Sequence, residues 1–249
     1  MNNCSSCVTE LTLVVNKVGA ISMYYHYSSK EFSLDDLKLL KRDAKSGDAD
    51  SLYLLANYYE HGLSIDNARC IKPNHDKALA LVKQAYENGR EEALIWYANH
   101  LTTPGAKQAD INKGVLLYKK AIAKGDSIAA ANLARHYCSV GKQVKAFEYF
   151  MLADKLGGDF SLDIGQCYYY GLGVQQNIPV AIQCYKKVIR NEHLYNEYDF
   201  QEANFLLGRI YLEGVHVKKS IAKAKHYLLT ANRDNDHRSA AELLLLLKY

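Results

Sequence analysis

Cys4 and Cys7 stand at the spacing that supplies half of a structural zinc site. Such a site takes four ligands and no second pair at this spacing follows, so no bound metal is expected. His100 and His136 lie 136 − 100 = 36 residues apart, at matching positions of a repeat described below. Matching positions on stacked helix pairs are about 10 Å or more apart, too long for two ligands of one ion, so both histidines are expected to serve in packing. The chain has no Gly-x-Ser-x-Gly elbow, phosphate loop, dinucleotide fingerprint or His-Glu-x-x-His. The expectation is a non-catalytic protein without a cofactor. Twenty tyrosines could stack on a ligand or build an aromatic cage. Recurrence assigns most of them to the core instead: Tyr59, Tyr137, Tyr168 and Tyr211 share one repeat position, and Tyr118, Tyr185 and Tyr227 another.

Bulk composition narrows the class further. The 249 residues are 49% hydrophobic and 23% charged, an ordinary globular balance. The longest apolar stretches, such as Leu243 to Leu247, fall far short of the roughly 20 residues a membrane helix needs, so no membrane span is expected. The N-terminal apolar run is broken by Asn16 and flanked by Glu10 and Lys17, unlike a secretory signal, and a cytoplasmic chain is expected. Six cysteines, with no pair recurring in each repeat, read as free thiols. The net charge of +4 comes from scattered bases such as Lys119-Lys120 and Lys186-Lys187 rather than from a patch, so no nucleic acid partner is expected.

The strongest signal is internal repetition. A small residue preceded by a large apolar one, with an aromatic or leucine three places on, recurs five times: Leu55-Ala56 with Tyr59, Tyr97-Ala98 with Leu101, Leu133-Ala134 with Tyr137, Ile164-Gly165 with Tyr168, and Leu207-Gly208 with Tyr211. A partial sixth copy is Leu243-Leu244 with Leu247. Each of the five is followed by a second pattern: Lys77-Ala78 to Ala85, Lys113-Gly114 to Ala121, Lys145-Ala146 to Ala153, Val180-Ala181 to Val188, and Lys223-Ala224 to Ala231. Helical periodicity puts each set on one stripe, and the small residue allows close approach of a paired helix. Turns at Tyr59 to Gly62, Gly171 to Val174 and Glu213 to Val215, with Gly47, Gly89, Gly125 and Gly157 as caps, complete a series of helical hairpins.

These residues resemble the Sel1-like repeat family, of the tetratricopeptide type, over about residues 46 to 249. The best local match runs from Ile164-Gly165 through Tyr168 to Gly171-Leu172-Gly173-Val174, with Asn177 and Ala181 after it. Two departures are Thr102-Thr103-Pro104-Gly105 and Ser139-Val140-Gly141, which replace the glycine turn, and an insertion near His193 to Gln201 is a third. The resemblance implies an all-α, α/α solenoid of about five helical hairpins over residues 33–249, begun by a capping helix after Ser33. Residues 1–32 form an extension, in which alternation around Asn16 to Gly19 predicts a β-hairpin, with an unstructured start as the alternative. Five leucines at 243–247 are expected to be covered by that hairpin, covered by another protein, or left half-buried.

By the same resemblance, the residue after each small residue and the one three before it face a concave side. One ladder is then Asn57, Asn99, Arg135, Gln166 and Arg209; the other is Tyr53, Ile95, Ala131, Leu162 and Phe205, with Tyr169 near the fourth rung. Tyr53, Asn57, Asn99, Arg135, Gln166, Tyr169, Phe205 and Arg209 are the candidate partner-binding residues, and plain solvated surface is the alternative. The implied function is a scaffold that binds a protein partner such as a toxin or signalling protein, as a bacterial cytosolic immunity or adaptor protein. The alternatives are a secreted effector or regulatory protein, and a β-lactam-binding or hydrolysing enzyme like cysteine-rich relatives, whose paired cysteines this chain lacks.

Overall fold

The computed structural model describes residues 12–15, 21–24 and 32–247, so Cys4 and Cys7 lie outside the described residues. Strands β1 (Thr12–Val15) and β2 (Ile21–Tyr24) pair in a two-stranded sheet, and the expected turn at Asn16 to Gly19 lies outside the described residues. Helix α1 (Leu34–Lys45) opens on a reciprocal cap: Ser33 Oγ accepts from the Asp36 amide, and the Asp36 carboxylate accepts from the Ser33 amide at 2.8 Å.

Five helix pairs follow. They are α2 (Ala49–His61) with α3 (His75–Glu87), α4 (Ala93–Leu101) with α5 (Gln108–Ile122), α6 (Ser127–Ser139) with α7 (Gln143–Lys155), α8 (Ser161–Tyr170) with α9 (Ile178–Arg190), and α10 (Glu197–Glu213) with α11 (Ile221–Ala231). Helix α12 (Arg238–Leu246) comes last. The fold is the expected α/α solenoid of helical hairpins, and Gly47, Gly89, Gly125 and Gly157 all take positive φ after the helices they close. The chain divides into two compact units within α6, after Leu133.

In the first unit, Ala56 and Ala98 are fully buried at the small-residue position, and a Cβ on Gly114 would stand 2.7 Å from Thr102 Cγ2. Asn88 Nδ2 donates to the Gly47 carbonyl at 2.7 Å, and the Arg90–Asp50 and Lys124–Glu91 ion pairs join the start of the first helix to the end of the second within the α2–α3 and α4–α5 pairs. One element is not anticipated by the repeat pattern. Between α2 and α3, strands β3 (Leu63–Ile65) and β4 (Ala68–Ile71) form an antiparallel hairpin. Its tip residues Asp66 and Asn67 both have positive φ, 50° and 61°, as the primed turns of tight hairpins require.

In the second unit, the core gathers the matching stripes of α8, α9 and α10 around Ile182, Tyr185, Val188, Leu206 and Leu207. Here the small residues are glycine. A Cβ on Gly165 would lie 2.6 Å from Tyr185 Cε1, and one on Gly208 2.7 Å from Leu228 Cγ. The insertion before α10 resolves into a single 3-10 turn, Glu192–Leu194, whose Glu192 pairs with Arg233 at 2.9 Å. Of the leucines 243–247, Leu243, Leu244 and Leu247 pack, as Phe205 does, on the buried cluster of Leu228, Ala231 and Ala240, while Leu245 and Leu246 are 57% and 73% exposed.

A lysine near the start of the second helix recurs over a tyrosine of the first. Lys77 sits 5.4 Å from the Tyr59 ring, Lys113 5.0 Å from Tyr97, Lys145 5.7 Å from Tyr137, and Lys223 5.0 Å from Tyr211. The fourth repeat has Val180 at the lysine position. Tyr118 and Tyr185 are fully buried at one position as expected, but Tyr227 is not their equivalent. It sits one residue before the buried Leu228 and stacks on Tyr211 at 5.7 Å, matching Tyr149, which packs on Tyr137 at 5.4 Å. The register of the small residue, Ala224, puts Leu228 rather than Tyr227 on the buried stripe.

Candidate functional site

The candidate residues are distributed over both units. In the first, the half-buried Tyr53 ring meets Trp96 edge-on at 5.6 Å, with the Arg90 guanidinium over its face. Asn57 is partly exposed and Asn99 exposed. Asn99 Oδ1 accepts from the buried Tyr118 hydroxyl at 2.6 Å and from Asn132 Nδ2 at 3.0 Å. The ladder position is thus where the buried tyrosine of the paired helix ends its hydroxyl.

In the second unit, Arg135, Gln166, Phe205 and Arg209 keep part of their surface exposed, whereas Tyr169 is buried at 6%. Arg135 Nη2 donates to Asp163 Oδ2 at 3.1 Å. Phe205 packs against the His237 ring at 4.8 Å, and His237 in turn lies 3.7 Å from Glu202. Arg209 stacks over Tyr169 at 5.4 Å and donates its Nε to Glu213 at 3.0 Å. Tyr169, Tyr170, Ile178, Arg209, Ile210 and Glu213 line a cleft of about 290 Å³.

Three carboxylates absent from the ladders stand on this same face. Asp163 lies two residues before Gly165, and Asp199 and Glu202 lie on the first turns of α10, upstream of Phe205. Burial pushes all three carboxyls above the usual carboxylate range. For Asp163 and Asp199 the Arg135 guanidinium opposes the shift, and for Glu202 His237 and Arg209 do. Asp199 also feels the negative charges of Asp163 and Glu202, which places the three in one electrostatic neighbourhood. The ladder rule missed them because it reads two positions per repeat. The signal for Glu202 was the next step of the stripe, three before Phe205.

Tyr185 adds a buried polar group to this neighbourhood. Its side chain is fully buried against Gly165, its hydroxyl has no hydrogen-bond partner, and it feels Tyr170, Tyr169 and Glu202. Tyr118, at the equivalent position, is satisfied by Asn99, where the fourth repeat has Gln166.

His100 is exposed and His136 half-buried with its ring 5.8 Å from Tyr137. Among the described residues, no three His, Cys, Asp or Glu side chains are placed to hold a metal ion. No helix among them is long and apolar enough to cross a membrane.

The family model of the Sel1 repeat matches residues 49–89, 91–126, 161–193 and 201–236. The α6–α7 pair falls between the second and third matches yet folds as a helical hairpin like the others. No curated protein matches the sequence. Among solved structures, a protective antigen of uropathogenic Escherichia coli displaying an SLR fold superposes with a TM-score of 0.66 at 22% identity, over 86% of this chain and 44% of its own. The chain thus spans less than half the length of that antigen. A Sel1 repeat protein of Oxalobacter formigenes gives a TM-score of 0.59 at 22% identity, over 80% of this chain and 79% of its own. An immunity protein of Pseudomonas aeruginosa gives 0.48 at 18% identity, over 82% and 77%.

Proposed function

The chain belongs to the Sel1 repeat family, and from that premise we propose that it is a non-catalytic scaffold that binds a protein partner on the first-helix face of its repeats. One observation carries the reading. The small residue of each first helix is sealed against the paired helix, as the Gly165–Tyr185 and Gly208–Leu228 contacts require, while Asn57, Asn99, Arg135, Gln166 and Arg209 next to it keep polar groups at the surface. Within each unit, such groups on the first helices suit a partner's helix or extended segment. The finer reading, a cytosolic immunity or adaptor protein that sequesters one partner, rests on the family resemblance, and the partner's identity decides it.

The test is capture from the native host with the wild-type chain beside an Asn99, Arg135, Gln166, Arg209 quadruple alanine variant whose helicity matches by circular dichroism. The expected outcome is one stoichiometric partner that the variant loses. A partner retained undiminished by the folded variant removes the first-helix face from the proposal.

A further inference from the structure

The cleft of the second unit is walled by two closed turns. After α8, Gln176 Nε2 donates to the Tyr169 carbonyl at 2.7 Å and the Asn177 amide to the Tyr168 carbonyl at 2.9 Å. After α10, the Ser220 amide donates to the Tyr211 carbonyl at 3.0 Å, and a Cβ on Gly214 would stand 2.6 Å from Lys219 Cβ. Walls fixed in this way spare a ligand the cost of ordering them. Ile178 and Ile210 line the cleft from buried positions, whereas Tyr170 and Val215 are exposed. Its permanent cation is Arg209, whose guanidinium lies over the Tyr169 ring and donates Nε to Glu213. Among the described residues, Glu213 is the only acid of the lining, and the two Nη groups of Arg209 have no acceptor. Past the rim, the stretch from His216 to His226 carries Lys218, Lys219, Lys223 and Lys225 and no acid. None of these lysines forms an ion pair among the described residues, whereas Arg135, Lys187, Arg233 and Arg238 of the same unit are all paired.

We propose that this cleft docks an acidic segment of the partner protein, which sets a carboxylate on the Arg209 Nη groups and lays a neighbouring aromatic or aliphatic side chain against Tyr170 and Val215. The inference rests on the protein-binding reading above and names the place and the chemistry of what binds. A guanidinium tied at Nε by Glu213 and set over Tyr169 keeps one orientation, and its outer edge then presents paired N–H donors that match a carboxylate. Tyr170, packed edge-on against Tyr169 at 4.7 Å, leaves an aromatic surface beside that edge. Lys218 and Lys219, just past the rim, attract the further negative charge of an acidic segment and reject a basic one. A nucleic acid strand is the poorer match. Its affinity comes from a run of phosphate contacts, whereas the cleft offers one guanidinium among apolar side chains, with a carboxylate at its back.

The test uses the full chain, isotopically labelled and followed by amide resonances, titrated with a capped peptide of alternating glutamate and phenylalanine. The same peptide with glutamine for glutamate is the neutral control, and a short oligothymidylate is the nucleic acid control. Shifts are expected on residues 169–178 and 209–219, with the glutamine peptide weaker by about tenfold or more, the scale of a lost charged hydrogen bond. Arg209→Gln should weaken binding by a similar factor. Glu213→Gln, which removes the acid behind the guanidinium, should instead tighten it by about threefold. Damage to the fold cannot produce that gain. Lys219→Glu should weaken binding by about threefold in dilute buffer and by less in about 0.5 M salt, while Lys155→Glu, the same charge change on α7, leaves it unaltered. Absence of shifts at the cleft, equal binding of the glutamine peptide, weaker binding by Glu213→Gln, or oligothymidylate bound there as tightly as the acidic peptide overturns the proposal. The two readings fail separately. A captured partner lost in the quadruple variant, with no acidic-peptide shifts at the cleft, overturns this site and leaves the scaffold standing. Peptide binding at the cleft with no captured partner supports the site and removes the scaffold role.

Discussion

At the scale of single residues, the lysine-over-tyrosine contacts show how a repeat can be written into side chains that join the two helices of a pair. Each lysine keeps its charge in water while its stem crosses the ring at the junction of a helix pair. Replacing Lys145 by Met should cost about 0.5–1 kcal/mol by urea unfolding, the usual worth of an exposed cation–π contact. The same substitution at a lysine away from any ring, such as Lys155, should cost less. Burial pushes the Cys167 thiol up to about 12, so it stays protonated at neutral pH, and iodoacetamide should label it only as fast as the fold opens. Rapid labelling of Cys167 in the native protein would contradict its packing. The identity of the tyrosine position was legible in sequence, since Tyr118 and Tyr185 fall at one register. Whether each hydroxyl finds a partner was not legible, because that depends on Asn99 or Gln166 arriving from another helix.

At the scale of elements, close helix approach and helix ends carry the design. Gly165→Ala and Gly208→Ala each gain about 1 kcal/mol of helix propensity, but the new Cβ lands within 3 Å of a buried side chain, and overpacking of this kind costs about 1–3 kcal/mol. Net destabilisation is expected in both, measured as a fall in the denaturant midpoint. At the N-cap of α2, Asp48 accepts from the Ser51 amide at 2.8 Å, and hydrogen bonding to Ser51 holds its carboxyl below the usual range. Asp48→Ala should cost about 1 kcal/mol at neutral pH. Because the folded carboxyl is the more acidic one, that contribution is present above the unfolded value of about 3.9 and disappears as pH falls through the folded one. The helix pairs were legible because small residues, aromatics and glycine caps recur in register. The β3–β4 hairpin was not. Its strands are three and four residues long, and its turn is Asp-Asn rather than the Asn-Gly that marks such turns most clearly.

At the scale of the whole molecule, the protein carries a mild positive charge, yet three partly buried carboxylates, Asp163, Asp199 and Glu202, gather in the second unit beside Arg135, Arg209 and His237. A count of bases and acids could not reveal this, because the arrangement follows from which helix faces come together. Asp163, Asp199 and Glu202 lie outside the two ladder positions per repeat that the family resemblance supplied. All three have folded values raised above their unfolded ones, so their contribution is most favourable in acid and is lost as pH rises through the folded values. Glu202→Gln should therefore raise Tm at pH 7, and the gain should vanish by about pH 3, below the unfolded glutamate value of about 4.3. Calorimetric scans at both pH values check this, and a gain that persists at pH 3 would assign it to packing instead. The β3–β4 hairpin has a different use. Its tip, Asp66 and Asn67, is exposed and already at positive φ, while β3 and β4 each anchor one isoleucine, Ile65 and Ile71, in the core. A fluorophore or a small reporter domain spliced between Asp66 and Asn67 would ride on a stem the protein already pins at both ends, making this loop a natural port for instrumentation.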